Sequence, residues 1–219
     1  MIVNDRISEY IELLTDENSE YTENIRKRAL EDGVPIIRRA GESFMKTLLS
    51  MNKVNDILEL GTAVAYSALV MAESCDAKIT TIENYPKRIE KAKFNIANSN
   101  YSDRINLIEG DVTSVLQDLI SEGKKYDFIF VDAAKAQYVN WLPSLKLLLR
   151  DRAVLFSDNI LQDGSIVESR FAIDRRYRTI HQRLRQYLHM LTHDRDFTSS
   201  IIPVGDGVAL SVFNGRINE

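Results

Sequence analysis

From Asn55 onward the chain repeats one unit: a short apolar run, a break, then a stretch with helical spacing. "DILEL" leads into "SALVMAESC", "KITTIE" into "PKRIEKAKFNIANS", "INLIEG" into "TSVLQDLISEG", and "YDFIFVDA" into "WLPSLKLLL". "AVLFSD" then opens a long helical region from about Val167 to Leu191. Strands that follow one another through helices pair in parallel, and a parallel sheet needs helices on both faces. The tail breaks the alternation, because "TSSIIPV" and "VALSVFN" are strand-like runs joined by "GDG", a hairpin signal. Residues 1–50 need no strand: Ile7, Ile11 and Leu14 share one helical face, and "ESFMKTLLSM" supplies another. The pattern predicts an α/β, doubly wound, mostly parallel sheet of seven strands, with an antiparallel C-terminal hairpin and helices at the N-terminus.

Length and composition narrow the class further. At 219 residues, 44% hydrophobic and 27% charged, the chain suits one globular domain, read as residues 1–219 with a helical segment at 1–50 and a core at 51–219. No internal repeat or low-complexity linker supports a second domain. The apolar runs end well before the ~18 residues of a membrane helix. The opening "MIVNDRISEYIELL" lacks the basic-then-apolar pattern of a signal peptide. A cytoplasmic protein without a membrane partner is expected. The lone Cys75 cannot form an internal disulfide and reads as a core filler, which sets thiol catalysis aside. A net charge of −4 argues against a wholly basic nucleic-acid binder but leaves room for a local patch.

Ligands of such sheets gather beyond the carboxyl ends of the strands. After the first strand, "ELGTAVAYS" places Glu59 and Gly61 at a turn where backbone can approach a ligand. A dinucleotide fingerprint needs three glycines, and here only Gly61 is present, with Ala65 where the last would stand. A pyrophosphate seat is not expected. The second strand ends on Glu83, about twenty residues after the turn, where a carboxylate can accept from ribose hydroxyls. The third ends on Gly110 and Asp111; the plainer reading of Asp111 is a helix cap.

The fourth strand delivers Asp132 and the fifth Asp158 with Asn159. Carboxylates on adjacent strand ends repel unless a cation or a shared proton lies between them. Two carboxylates and an amide oxygen, with no imidazole or thiolate, match a hard octahedral cation, magnesium first and manganese second. The plainer alternative is that Asp158 and Asn159 form a turn while Asp132 caps a helix.

Together "ILELGTAVAYSAL", "TTIE", "GDV", "FIFVDAAKAQY", "LFSDNIL" and "IPVGDGVALS" resemble the metal-dependent O-methyltransferases of the catechol and caffeoyl-CoA type, over roughly Val34 to Phe213. The resemblance implies the Rossmann-like class I methyltransferase sheet, S-adenosylmethionine as methyl donor, and a homodimer. By position it implies that Glu59 and Gly61 shape the methionine side of the cofactor site, that Ser67 and Ile37 contact the cofactor, and that Glu83 holds the ribose. Asp111 and Val112 would lie at the adenine. Asp132, Asp158 and Asn159 match the metal ligands, with Asp132 also bordering the cofactor, and Lys135 matches the general base. The chain departs from the family where glycine is usual and Ala65 stands, which implies a slightly different backbone there.

The residues also make chemical sense on their own. Methyl transfer from a sulfonium is an in-line displacement, so an acceptor oxygen must be held opposite the methyl group and deprotonated. A cation chelated by two neighbouring acceptor oxygens serves both needs, and Lys135 can take the proton. The acceptor should therefore carry a hydroxyl beside a second oxygen. "RFAIDRRYRTIHQRLR", residues 170–185, holds six arginines against one aspartate on an acidic protein. Arg175, Arg178 and Arg185 are placed opposite the apolar face, with Arg176 and Arg183 flanking. Arg38 and Arg39 could extend the strip. Such a row is often only a solvated face, but here it suits a phosphate backbone.

With "AAKAQY" and "IIPVGDG", the chain resembles bacterial tRNA 5-hydroxyuridine methyltransferases, which make 5-methoxyuridine at the wobble position. The 5-hydroxyl adjoins the 4-carbonyl, a pair able to chelate magnesium, and a base in an anticodon loop is cheap to unstack. A catechol-like small-molecule acceptor is the nearest alternative. A cofactor-binding regulator or RNA-binding module without turnover is the more distant one. His181, His189 and His193 read as ordinary helix residues. Gln137 and Tyr138 could shape a pocket or pack a loop.

Overall fold

Seven strands form one sheet in the computed structural model, which describes residues 5–215. Residues 1–4, part of the stretch read for a leader, and residues 216–219 lie outside the described range. Three helices come first: α1 (Asp5–Leu14), α2 (Glu20–Glu31) and α3 (Arg39–Met51). Strands and helices then alternate as β1 (Asp56–Leu60), α4 (Tyr66–Ser74), β2 (Lys78–Glu83), α5 (Pro86–Ala97), β3 (Ile105–Glu109), α6 (Val112–Ser121), β4 (Tyr126–Val131), α7 (Tyr138–Leu148) and β5 (Leu149–Ser157). Helix α8 (Arg178–His193) precedes a final pair, β6 (Phe197–Ile202) and β7 (Val208–Phe213). Among the described residues no helix is long and apolar enough to cross a membrane.

The strand order is β3-β2-β1-β4-β5-β7-β6, parallel throughout except for β7, which runs against both of its neighbours. The chain leaves β1 toward β2 and β3, then returns to start again at β4. The β1–β4 boundary is thus the switch point, and the crevice beyond those two strand ends is where such sheets bind ligands.

Successive side chains of each central strand enter opposite layers. Ile57, Phe128, Phe130 and Phe156 join Met45, Leu49 and most of α4 on one face. Leu58, Leu60, Ile129, Val131 and Leu155 join Leu116, Leu142, Leu145, Leu184 and Tyr187 on the other. The Phe156 ring lies 5.6 Å from Phe130 and 6.1 Å from Phe128. Each fully buried aromatic contributes about 1.5–3 kcal/mol of transfer free energy, so Phe156→Ala would cost about 3–5 kcal/mol. Cys75 packs half-buried with Sγ 3.5 Å from the Met71 carbonyl, and burial pushes its thiol pKa up, as suits a filler and not a nucleophile.

Ile7, Ile11 and Leu14 fall on one helix, α1, as expected, and all three are exposed. One expectation needs correction. The helix placed from about Val167 begins only at Arg178. Gln162, Asp163 and Gly164 take φ values of 47°, 51° and 88°, which no helix accommodates, and Asp174 has extended backbone ahead of a 3-10 turn at Arg175–Tyr177. Ile173, at helical spacing from Tyr177, Ile180 and Leu184, belongs to this irregular connection. Arg170, Arg175 and Arg176 therefore precede α8 and do not lie on it.

Candidate active site

A cleft of about 510 Å³ opens at the β1–β4 switch point. It is bordered by Ile37, Gly61, Ser67, Glu83, Asp111, Val112, Asp132, Lys135 and Asn159, so the predicted cofactor, cation and base residues other than Glu59 and Asp158 share one cavity, and none of the predicted arginines lines it. Gly61 makes the cleft possible. Its φ is +100°, and a Cβ there would stand 2.2 Å from the Asp132 carbonyl oxygen, so no other residue fits. The turn that follows holds Ala63 at φ 47° and Ala65 at φ 67°, both left-handed. At Ala65 the chain thus adopts the backbone that glycine favours.

Glu83 is fixed almost entirely by backbone. Its Oε2 accepts from the Ala63 N–H at 2.9 Å and its Oε1 from the N–H groups of Asn84 and Tyr85 at 3.0 Å each. This carboxylate is thereby aimed before any ligand arrives. Asp111 caps α6, accepting from the Thr113 N–H at 2.9 Å, and it also borders the cleft. Glu59 does not line the cleft. It lies fully buried beneath the turn, where Ser67 and Thr81 donate hydroxyl hydrogen bonds to it. Burial, with lesser help from Asp132 and Glu83, pushes its pKa up to about 7 against the lowering effect of those hydroxyls.

The predicted cation ligands come together. Asp132 and Asp158 continue β4 and β5, each holding the adjoining strand through its own N–H, to Leu60 and Val131 carbonyls at 3.0 Å. Asn159 takes the left-handed φ of 58° that asparagine tolerates, which turns its side chain back between them. Its Nδ2 lies 3.3 Å from Asp132 Oδ1 and 3.4 Å from Asp158 Oδ2. Rotating that amide by a half-turn replaces nitrogen with oxygen, and three oxygens then converge. Asp158 is buried, and desolvation followed by the charge of Asp132 raises its pKa to about 7; burial raises that of Asp132 too. A buried carboxylate beside a half-buried one calls for a proton or a cation between them. The donor set fits a hard divalent cation. Among the described residues no third acid, histidine or cysteine joins them, so an amide completes the set.

Lys135 sits half-buried in a 3-10 turn, and its positive charge bears on both aspartates. It also borders a second cleft of about 560 Å³, lined by Gln162, Asp163, Ser165, Ala172, Ile173, Asp174, Tyr177 and Asp206. Lys135 is the one residue lining both cavities. Sequence reasoning did not find this second cleft, because it is built by the irregular connection that was read as helix.

The arginines divide. Arg175 and Arg176 are exposed in the 3-10 turn between Asp174 and Tyr177, two residues that line the second cleft, and the Arg176 guanidinium lies 4.5 Å from the Tyr177 ring centroid. Arg178, Arg183 and Arg185 instead donate to backbone carbonyls of Ile173, Ala136 and Ile166 at 2.9, 3.0 and 3.1 Å. Arg38 pairs with Asp163 at 3.0 Å. Arg39 is turned inward to Glu23 and Glu42 and is not placed to meet a phosphate. Trp141 and Arg88 border the first cleft and were missed; the signal for the former was its being the chain's only tryptophan. Gln137 lines that cleft, whereas Tyr138 is fully buried and its hydroxyl donates to the Val131 carbonyl at 3.2 Å. His181 is buried and His189 stacks on His193 at 4.0 Å between ring centroids, well apart from the acidic set in sequence.

Comparison with known proteins places this geometry. The family described as O-methyltransferase matches residues 12–213. O-methyltransferase imqG of Aspergillus flavus is 34% identical over 152 residues, 67% of this chain and 61% of that protein. Caffeoyl-CoA O-methyltransferase 1 of Eucalyptus globulus is 31% identical over 76% of this chain and 70% of its own length. A Staphylococcus aureus structure, provisionally named a caffeoyl-CoA O-methyltransferase, superposes with a TM-score of 0.87 at 31% identity, over 94% of this chain and 99% of that one. The SAH-bound methyltransferase PaMTH1 of Podospora anserina gives a TM-score of 0.81 at 26% identity, over 96% and 94%.

Proposed function

The chain belongs to the O-methyltransferase family, and from that premise we propose that it moves a methyl group from S-adenosylmethionine to a hydroxyl that adjoins a second oxygen. The observation that carries this reading is the meeting of two clefts at Lys135, beside Asp132, Asp158 and Asn159. The first cleft has the polar rim a nucleoside needs, with Glu83 aimed by three backbone N–H groups. Bound there, S-adenosylmethionine supplies a methyl group on a sulfonium. Asp132, Asp158 and Asn159 would hold a divalent cation, magnesium or manganese, whose Lewis acidity lowers the pKa of the acceptor hydroxyl.

This chain's residues then do three things. Ile37, Gly61 and Ser67 fix the donor end, and the second cleft fixes the acceptor. Lys135, as its neutral amine, would take the hydroxyl proton, so that the acceptor oxygen could bond to the methyl group that S-adenosylmethionine gives up with its sulfur keeping the electron pair. The buried floor under Glu59 and Asp158 keeps water away from the reacting atoms.

For the acceptor we propose 5-hydroxyuridine at the wobble position of tRNA, giving 5-methoxyuridine. The support is the exposed pair Arg175 and Arg176, which lies in the chain between Asp174 and Tyr177 of the second cleft's lining, where a phosphate backbone could rest while one base enters. Such an enzyme would work in the cytoplasm. As a homodimer it could use the exposed Tyr10, Leu13 and Leu14 of α1. The second reading, a catechol-like small molecule, is favoured by the name of the Eucalyptus relative and by the carboxylates Asp163, Asp174 and Asp206 lining the cleft. To separate them, labelled S-adenosylmethionine, magnesium and bulk tRNA containing 5-hydroxyuridine are incubated with the protein, and the labelled nucleoside is identified. Label in 5-methoxyuridine, lost steeply as salt rises, is the expected result. Equal transfer to free catechols, indifferent to salt, overturns the tRNA assignment and leaves the methyltransferase assignment standing; no transfer to either acceptor overturns both.

A further inference from the structure

The "GDG" turn between β6 and β7 was read only as a hairpin connection, yet it does more than reverse the chain. Ile160 and Leu161, just after the cation ligands, donate their N–H groups to the carbonyls of Gly207 and Asp206 at 3.0 Å each. Gly207, at φ +85°, lies so close that a Cβ would stand 2.3 Å from the Leu161 side chain. The Asp206 carboxylate, in a residue only 7% exposed, accepts a short hydrogen bond from the N–H of Asp163. That N–H belongs to the run Gln162–Asp163–Gly164, whose two non-glycine members sit in the left-handed region that side chains disfavour. Gln162, Asp163 and Asp206 all line the second cleft together with Lys135. A strained loop that walls a cleft stays in place only if something holds it.

We propose that Asp206 is a positioning residue for the acceptor: through the Asp163 N–H it holds the left-handed loop that forms the wall of the cleft shared with Lys135. This rests on reading that cleft as the acceptor site. The carboxylate oxygen acts as a hydrogen-bond acceptor and its charge is incidental, so an amide in its place does the same work. In Asp206→Ala the loop relaxes, and the acceptor is no longer held against Lys135.

The test uses full-length protein with S-adenosylmethionine, magnesium and tRNA containing 5-hydroxyuridine. Asp206→Ala should raise the KM for tRNA about tenfold and lower kcat several-fold, while calorimetry shows S-adenosylmethionine affinity within about twofold of the parent; one lost hydrogen bond corresponds to about that change. Asp206→Asn should restore KM to within about threefold, because its amide oxygen still accepts. An unchanged KM in Asp206→Ala, or Asp206→Asn as impaired as Asp206→Ala, overturns the proposal. Hydrogen exchange on the unaltered protein supplies a measurement that needs no variant. The Asp163 amide should be protected although its side chain is exposed, and rapid exchange there also overturns the proposal. If the unaltered protein methylates no acceptor, the proposed function fails, while the exchange measurement still decides whether Asp206 holds the loop.

Discussion

The two clefts that meet at Lys135 are built in opposite ways. The donor cleft is assembled from strand ends and the turns that immediately follow them. Glu83 is held by N–H groups of its own two successors and of Ala63, and Asp111 by the cap of the helix it begins. The acceptor cleft is assembled from pieces far apart in the chain. Arg183 reaches the Ala136 carbonyl, Arg185 that of Ile166, Asp206 the Asp163 N–H, and Arg38 the Asp163 carboxylate. A site made of local turns keeps its shape wherever the sheet forms. A site made of long-range ties depends on each of them, and its specificity can change without disturbing the other half.

Substitutions on the two sides should therefore produce crossed phenotypes, and these are the largest effects expected. Lys135→Ala or Asp158→Ala should lower kcat by roughly 10²–10⁴-fold, the usual worth of a positioned base or a cation ligand, with S-adenosylmethionine affinity nearly intact. Glu83→Ala should weaken S-adenosylmethionine by about 10- to 100-fold, as loss of a carboxylate's hydrogen bonds implies, and leave the acceptor KM unchanged at saturating donor. Single-turnover rates and calorimetry on the three variants separate the patterns. If Glu83→Ala also raised the acceptor KM, the two clefts would not be independent.

The same contrast governs how much could be read from sequence. The sheet, its order of units and the strand-end residues were legible, because parallel βαβ repetition and turn chemistry are local signals. Glu83, Asp111, Asp132 and Asn159 all reached one rim, with Asp158 buried behind it against Asn159. The connection 161–177 was not legible: its apolar residues fell at helical spacing, and nothing local announced three consecutive left-handed residues. The arginines were legible as a cluster but not in their roles, since a guanidinium bonded to a distant carbonyl and one facing water have the same sequence signature. Arg39 shows this most clearly, closed in by Glu23 and Glu42 of two helices.

The donor side also carries a buried acid with a cost that depends on pH. Glu59 has its pKa raised to about 7 in the folded protein, above the ordinary glutamate value. The folded state then binds a proton more tightly than the unfolded one, so the stabilising contribution is complete below the unfolded pKa and is lost as pH rises through about 7. Glu59→Gln keeps an amide for Ser67 and Thr81 to meet and removes the charge. The variant should gain on the order of 1–3 kcal/mol over the parent at pH 8 and almost nothing at pH 4. Chemical denaturation at both pH values measures it. A gain of equal size at both would mean that shape, not ionisation, is responsible.

The arginine division is smaller in effect but sharper in what it decides. Arg183→Ala should lower kcat about tenfold through loss of a charged hydrogen bond to the Lys135 turn, with the salt dependence of tRNA methylation unchanged. The double change Arg175→Ala with Arg176→Ala should raise the tRNA KM and reduce the slope of log KM against log salt by about 1.5, with kcat preserved. Exchange of these two patterns would show that the inward and outward arginines have been assigned the wrong way round.

The smallest effect belongs to Ala65, where a residue with a side chain stands in the donor turn at φ 67°. Ala65→Gly removes a left-handed penalty of about 1–2 kcal/mol. It also removes a fully buried methyl group, worth about 0.8 kcal/mol, and frees the unfolded chain by about 0.4–1 kcal/mol. These contributions nearly cancel, so Tm should move by less than about 3 °C in a chain of this size, and S-adenosylmethionine affinity by less than about twofold. A tenfold change in that affinity would show that the methyl group, and not the backbone, shapes the turn. Near-cancellation is also the physical reason that alanine can stand at this position: the packing it provides offsets the strain it imposes, and the cleft beside Gly61 keeps its form.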